Sequence, residues 1–186
     1  MLNTILALMT VFMTTATPAQ NVEVDASASK IIWNATKVTG AHSGTIDIKE
    51  GELEYKGNQL IGGEFTIDMT TINTTDLEGE WKDKLDGHLK SDDFFGVDKY
   101  ATAKFKITKV KSTGSDKYTV TGDVTIKGIT ESVTFPASVK DGKAKAKITL
   151  DRTKFNVRYG SNSFFDNLGD KAIHDEFTLD VSLVTK

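Results

Sequence analysis

An all-β fold, a closed antiparallel β-barrel of about eight strands with a short helix between two of them, is what this sequence predicts, on three observations. After Gln20, apolar and polar residues alternate with period two along successive segments, the pattern of strands with one buried and one wetted face. Short gaps carrying turn residues, Gly114-Ser115-Asp116, Gly128-Ile129-Thr130 and Asp141-Gly142, separate neighbouring stripes, so consecutive strands pair as hairpins. A flat sheet of this many one-faced strands would leave two open edges and an uncovered apolar face, and closure removes both.

Taken in order, the first stripe puts Ile31, Trp33 and Ala35 on one face. Ile46 and Ile48 form the second, and a weaker strand covers Glu52 to Leu60. Phe65, Ile67 and Met69 come next, then Ala101, Ala103, Phe105 and Ile107. Tyr118, Val120, Gly122, Val124 and Ile126 precede a stripe of Val133, Phe135, Ala137 and Val139. Ala144, Ala146, Ile148 and Leu150 follow, and Phe177, Leu179, Val181 and Leu183 close the set. Pro136 has the outward parity of its strand and marks an edge position or a bulge. Between Thr74 and Lys90, apolar residues four apart (Leu77, Trp81, Leu85) predict the helix, with Thr75 or Asp76 as its cap. Ser161 to Glu176, rich in Asn, Asp and Gly, reads as a long loop folded over one barrel end.

The first twenty residues differ from the rest: they contain no Asp, Glu, Lys or Arg, and Leu2 to Met13 is mostly apolar. With Thr17-Pro18-Ala19 behind it, this segment reads as a signal peptide over residues 1–19, leaving a barrel domain over residues 20–186. A retained anchor is the alternative. A spanning helix needs about 20 apolar residues, and this run is shorter and broken by Asn3, Thr4 and Thr10. The expectation is export, with no stable membrane insertion after cleavage. The chain has no cysteine, which excludes disulfides, thiol nucleophiles and Cys-based metal sites. A net charge of −3 with both signs interspersed provides no electrostatic footprint for nucleic acid.

Small inward residues (Ala35, Ala101, Ala103, Gly122, Ala137, Ala144, Ala146) are interleaved with Trp33, Phe65, Phe105, Phe135 and Phe177. An eight-stranded barrel is at the size where the interior either fills with side chains or holds one ligand. The small positions favour a cavity, and its apolar walls favour an apolar occupant. The competing expectation is a filled core, with the alanines where the barrel narrows or where Trp81 plugs an end.

Three stretches carry a family resemblance over roughly Val24 to Lys186. Gly87-His88-Leu89-Lys90-Ser91-Asp92-Asp93-Phe94-Phe95, with Tyr100 and Phe105 after it, resembles the H-L-x-S-x-D-F-F segment of the YceI-like family of bacterial exported proteins. Val120 to Thr130 is similar to that family's T-G-x-L-T-I-x-G-V-T hairpin, and Asp151-Arg152-Thr153-Lys154-Phe155 to its D-R-x-x-F. Ala101 stands where the family usually has proline, and Leu85 where an arginine is often found. Asn156 replaces a glycine, and asparagine tolerates positive φ. The resemblance implies a lipocalin-like barrel, in the periplasm or secreted, that binds isoprenoid lipids such as polyprenyl chains or isoprenoid quinones, without catalysis.

The expected ligand-binding set is Trp33, Phe65, Ile67, Phe94, Phe95, Phe105, Phe135, Ala146, Ile148 and Phe177, with His42 and Arg152 as polar candidates. His42 shares the parity of Ile46 and Ile48 and either touches a headgroup or is structural. His88 is expected to fix its loop through a hydrogen bond, and His174 to be solvated. Ser91, Asp92 and Asp93 fit the start of a helical turn. Arg152 has inward parity, with a bulge between it and Phe155. It either meets a headgroup oxygen or closes the barrel by pairing with Asp151 or Asp170. No histidine has metal-ligand spacing and no serine lies in a nucleophile context, so neither a metal nor a cofactor is expected. The leading reading is a non-enzymatic carrier or reservoir for a long-chain isoprenoid lipid, and a homodimer is compatible with it. The alternatives are a stress-related interaction protein using the barrel as scaffold, and an enzyme acting on an apolar substrate.

Overall fold

Alternating segments become strands wherever their apolar faces can meet, and here they meet around a closed ring. The computed structural model describes residues 18–186; the expected leader lies outside the described residues but for its last two positions. The strands are β1 (Ala19–Glu23), β2 (Lys30–Lys37), β3 (Gly40–Lys56), β4 (Gln59–Thr74), β5 (Thr102–Gly114), β6 (Lys117–Ile126), β7 (Ile129–Lys140), β8 (Lys143–Asp151) and β9 (Ile173–Val184). Helix α1 (Gly79–Lys90) joins β4 to β5. Every neighbouring pair is antiparallel, β2 through β9 pair in chain order, and β9 pairs back to β2. The barrel is therefore eight-stranded. β1 lies on the same edge of β3 as β2 and end to end with it (Ala19↔Lys56 to Glu23↔Glu52), and Val24 just after it bridges to Thr185 beyond β9, so β1 extends the β2 position of the ring.

Three two-residue turns fall at or beside the gaps the sequence marks, with Ile129 and Thr130 already in β7, while those joining β2 to β3 and β3 to β4 carry no such mark. Lys127-Gly128 and Asp141-Gly142 all have positive φ, as the hairpin turn that matches strand twist requires. Between Ile31 and Leu60 the outcome differs. β3 is one strand of 17 residues, where the sequence suggested two. The pairing with β4 shifts register between Ile48 and Glu50, a bulge that moves the inward set from Ile48 to Leu53 and breaks period two. β4 repeats this: its inward residues run Met69, Ile72, Thr74. There Thr71 Oγ1 accepts from Asp47 N (2.9 Å) and donates to Asp68 O (2.7 Å), filling the gap the shift leaves.

The ring has one weak seam. β7 and β8 pair only from Ala137↔Ala146 to Lys140↔Lys143. Val139 N donates to Asp116 O on the opposite side (2.9 Å), so the even-numbered residues of β7 present their backbone groups to β8. Pro136 is the next such position and has no N–H. The ladder ends there, which is the physical meaning of the proline the sequence placed on this outward face.

Helix α1 buries none of its residues. Its N-cap is Glu78, without a side-chain bond, rather than Thr75 or Asp76. Asp76 instead accepts from Ser43 N (2.9 Å). The helix is held to the barrel by Asp86, which accepts from Thr74 N (2.8 Å) and pairs with Lys82 (2.5 Å). Burial works against the Asp86 carboxylate, but these partners outweigh it and hold its pKa below the usual value. Trp81 is 71% exposed, so it does not plug the barrel.

Candidate functional site: an apolar cavity along the barrel

A cavity of about 220 Å³ runs inside the ring. At one end it is walled by Leu89, Phe94, Phe95 and Ile173, and at the other by Leu53, Leu60, Val139 and Leu183. Those two sets belong to opposite ends of the strands, so the cavity follows the barrel axis. Of the residues expected from sequence to bind ligand, Trp33, Phe65, Ile67, Phe94, Phe95, Phe105, Phe135, Ala146, Ile148, Phe177 and Arg152 line it together. His42 does not; its Nδ1 lies 2.8 Å from Asp76 Oδ2 at the β2–β3 end. Ala101 is exposed and precedes β5, so it adds no room.

The wall is built by aromatics lying on glycines, a device that sequence parity did not reveal. A Cβ on Gly44 would come within 2.4 Å of the Trp33 ring, on Gly51 within 2.5 Å of Phe65, and on Gly122 within 2.4 Å of Phe105. Trp33↔Gly44 and Phe65↔Gly51 are direct cross-strand partners. Each glycine lets a ring lie flat against the wall instead of projecting across the interior. Gly122, expected to leave open space, is thus occupied by its neighbour's ring. Free width comes from Ala35, Ala103, Ala137, Ala144 and Ala146, all on the cavity wall. Phe105 packs on Phe65 and Phe135 with centroids 6.2 and 5.7 Å apart, an ordinary range for aromatic pairs. The one polar atom of Trp33, Nε1–H, donates to Thr45 O within the wall (3.2 Å).

Polar groups gather at the end beside α1, and they are committed to the protein. Arg152 is 4% exposed. Its Nε donates to His174 O (3.0 Å), Nη1 to Val157 O (2.9 Å) and Tyr159 O (2.8 Å), and Nη2 to Ile173 O (2.9 Å) and Asp175 Oδ1 (3.5 Å). A guanidinium has five N–H donors, and these five contacts account for them. Arg152 therefore clamps the β8–β9 connection shut. Its carboxylate is Asp175, not Asp151 or Asp170; Asp151 instead accepts from Thr153 N (2.9 Å). The chain turns after Arg152 through a 3₁₀ helix, Arg152–Phe155, rather than a bulge, and Asn156 follows at φ 60°, the conformation that lets it replace glycine. Burial lowers the Arg152 pKa, and Asp175 and Asp151 act against that shift. At Asp175, burial disfavours the charge, but hydrogen bonds from Ser161 and Ser163 with the Arg152 charge prevail, and its pKa is lowered.

His88 packs edge-on against Phe94 (4.9 Å) and Tyr159 (4.4 Å). Its Nε2 is buried without a partner, so packing and not the expected hydrogen bond holds this loop. Ser91 is the C-cap of α1, its N–H reaching Gly87 O and His88 O, and it also starts the expected turn, its carbonyl accepting from Phe94 N (3.1 Å). Asp92 pairs with Lys99 (2.6 Å). Lys127 Nζ donates to Phe94 O (2.6 Å), tying the Phe94–Phe95 turn to the β6–β7 hairpin. His174 is exposed, with Nδ1 2.7 Å from Thr36 Oγ1.

A closed meander of eight strands around an apolar cavity, with its polar groups turned into the wall, defines the class of lipocalin-like barrels. Within that class the profile of the YceI-like domain matches residues 22–185, and the chain belongs to this family. A UPF0312 protein of Pseudomonas putida is 33% identical over 141 residues, covering 75% of this chain and 71% of the relative. A UPF0312 protein of Vibrio parahaemolyticus is 36% identical over 111 residues, covering 53% and 58%. Among solved structures, Burkholderia cenocepacia BcnA is similar in fold, with TM-score 0.71, 22% identity and coverage of 88% and 99%. A polyisoprenoid binding domain from Saccharophagus degradans is similar with TM-score 0.62 and 14% identity, covering 88% and 97%.

Proposed function

We propose that the chain is an exported bacterial protein, acting in the periplasm or outside the cell, that holds one long isoprenoid-type lipid (a polyprenyl chain or an isoprenoid quinone) as carrier or reservoir. The carrying observation is the shape and lining of the cavity. It extends from Phe94 and Phe95 to Leu53 and Leu60, along the barrel from one end to the other, which suits an extended chain. Each buried CH₂ contributes about 0.8 kcal/mol, so several isoprene units gain roughly 10 kcal/mol or more before the tail's ordering offsets part of it. Affinity on this basis needs no free charged group in the wall. The full use of the Arg152 donors within the protein accords with that.

The test is direct. Protein purified from its own host is analysed by native mass spectrometry, and the bound material is extracted; a prenyl lipid at one per chain is the expected result. Ala146, opposite Ala137 and Val181, is then replaced by Trp. The ring occupies tail space, and overpacking costs about 1–3 kcal/mol. The folded Ala146→Trp variant is expected to leave its host empty. Equal lipid content in the two proteins would contradict the reading.

A further inference from the structure

The cavity does not account for what stands outside one end of the barrel. Because successive strands reverse direction, the β2–β3 turn, the segment from α1 to Tyr100, the β6–β7 turn and the β8–β9 connection share that end. Their contacts agree: Val38 N donates to Ala172 O (3.1 Å), Lys127 reaches Phe94 O, and His88 meets Tyr159. Trp81 (71% exposed) and Phe165 (50%) stand here, with Val38, Tyr100, Tyr159 and Phe164 also exposed. Among the described residues, Ile61 is the one exposed large apolar side chain away from this end. Single exposed apolar residues are ordinary; their collection at one end is not.

The chemistry of the patch selects its partner. Lys84 Nζ sits 5.1 Å from the Trp81 ring centroid, and the Arg158 guanidinium 4.6 Å from that of Phe164. Aromatic rings with cations beside them, and acids such as Glu80 and Asp83 interleaved, suit a membrane–water interface, where rings enter and charged tips stay wet. The patch is carried on separate segments, which matches a yielding surface better than the continuous packed face of a second copy. It also adjoins the cavity: Leu89, Phe94 and Phe95 of the wall belong to the same stretch as Trp81 and Tyr100. We propose that this end docks on the interface of a phospholipid bilayer, with Trp81, Phe164 and Phe165 inserted. Mixed charge makes zwitterionic lipid sufficient. The proposal rests on the exposed side chains and not on what fills the cavity.

The chain has two tryptophans, and Trp33 is buried in the wall. Subtracting the spectrum of Trp81→Phe from that of wild type therefore isolates Trp81. With the full chain and vesicles of brominated phosphatidylcholine, the Trp81 signal is expected to shift to the blue and be quenched. Ala19 itself stands at the opposite end, paired with Lys56 beside the β3–β4 turn. β9 has 12 residues at about 3.3 Å each, so a protein resting on the Ala19 end keeps Trp81 roughly 30–40 Å away and unquenched. The variant Trp81→Ser/Phe164→Ser/Phe165→Ser is expected to keep its thermal midpoint and bind vesicles about tenfold less, from the apolar area removed. It should still take up a prenol delivered in detergent. Unquenched Trp81, or a dimer that buries Trp81 without vesicles, overturns the proposal. Docking by a protein that takes up no prenol would instead defeat the cavity reading and leave this one standing.

Discussion

Single residues decide the shape of the cavity, and the glycines under the aromatic rings show how. Gly122 has no close alternative: a Cβ there would meet Phe105 at 2.4 Å and Lys106 O at 2.7 Å. In Gly122→Ala the Phe105 ring must move into the cavity, at a cost of about 1–3 kcal/mol from overpacking. Chemical denaturation should show that loss, and prenyl lipid should bind more weakly in the same variant; unchanged values for both would mean that the ring has room to spare. The sequence marked the large inward residues correctly because strand parity reports which face a side chain takes. It could not mark which glycine lies under which ring, since that depends on cross-strand register. Arg152 was legible as an inward charge at a strand end. Its partners were not, because four of them are backbone carbonyls, which no residue pattern encodes.

Among the elements, β7 is the one whose halves differ in kind. Ala137–Lys140 is bonded on both sides, whereas Ser132 and Thr134 face β8 across the seam with no ladder partner. Amide exchange follows such differences. The amides of Ser132 and Thr134 should exchange faster than those of Val133 and Phe135, which face β6. Pro136→Thr restores a donor opposite Lys147, so the Thr134 amide should slow as the ladder extends; uniform protection along β7 would show that the seam is closed by other means. Strands and two-residue turns were readable because period two and positive-φ turn residues are local. The union of two predicted strands into β3 was not, because a bulge reverses parity in mid-strand. The cap of α1 was also misplaced: Asp76 is drawn away by Ser43 N, a contact across 33 positions of sequence.

For the molecule as a whole, acid is the condition that tests its polar fastenings. Asp76, Asp86 and Asp175 tie α1 and the two connections to the barrel, and, despite partial burial, hydrogen bonds and neighbouring cations hold all three carboxyls below the usual aspartate range. The unfolded chain then binds more protons than the native one, so stability rises with pH across this range. That contribution is fully present above about pH 4 and is lost as pH falls through the lowered native values. Thermal midpoints measured down to pH 2 should drop in that window, with a shallower slope in Asp86→Asn; an equal slope would remove Asp86 from the account. The closed ring itself was predictable from the number of one-faced strands, whereas the short strand β1 was not, since Ala19–Glu23 shows too short a pattern. That short strand has one more consequence. It brings Glu23 against the end of β9, where Lys186 N donates to Glu23 O at 2.9 Å and the side chains pair at 2.7 Å. With Lys186 beside Glu23, four residues along β1 from Ala19, and every ring strand bonded to its sequence neighbour, the topology is cyclic. A circular permutant joined from Lys186 to Ala19 through a linker long enough to span about 13 Å, and cut at the Lys127-Gly128 turn, would retain every strand pairing of the barrel.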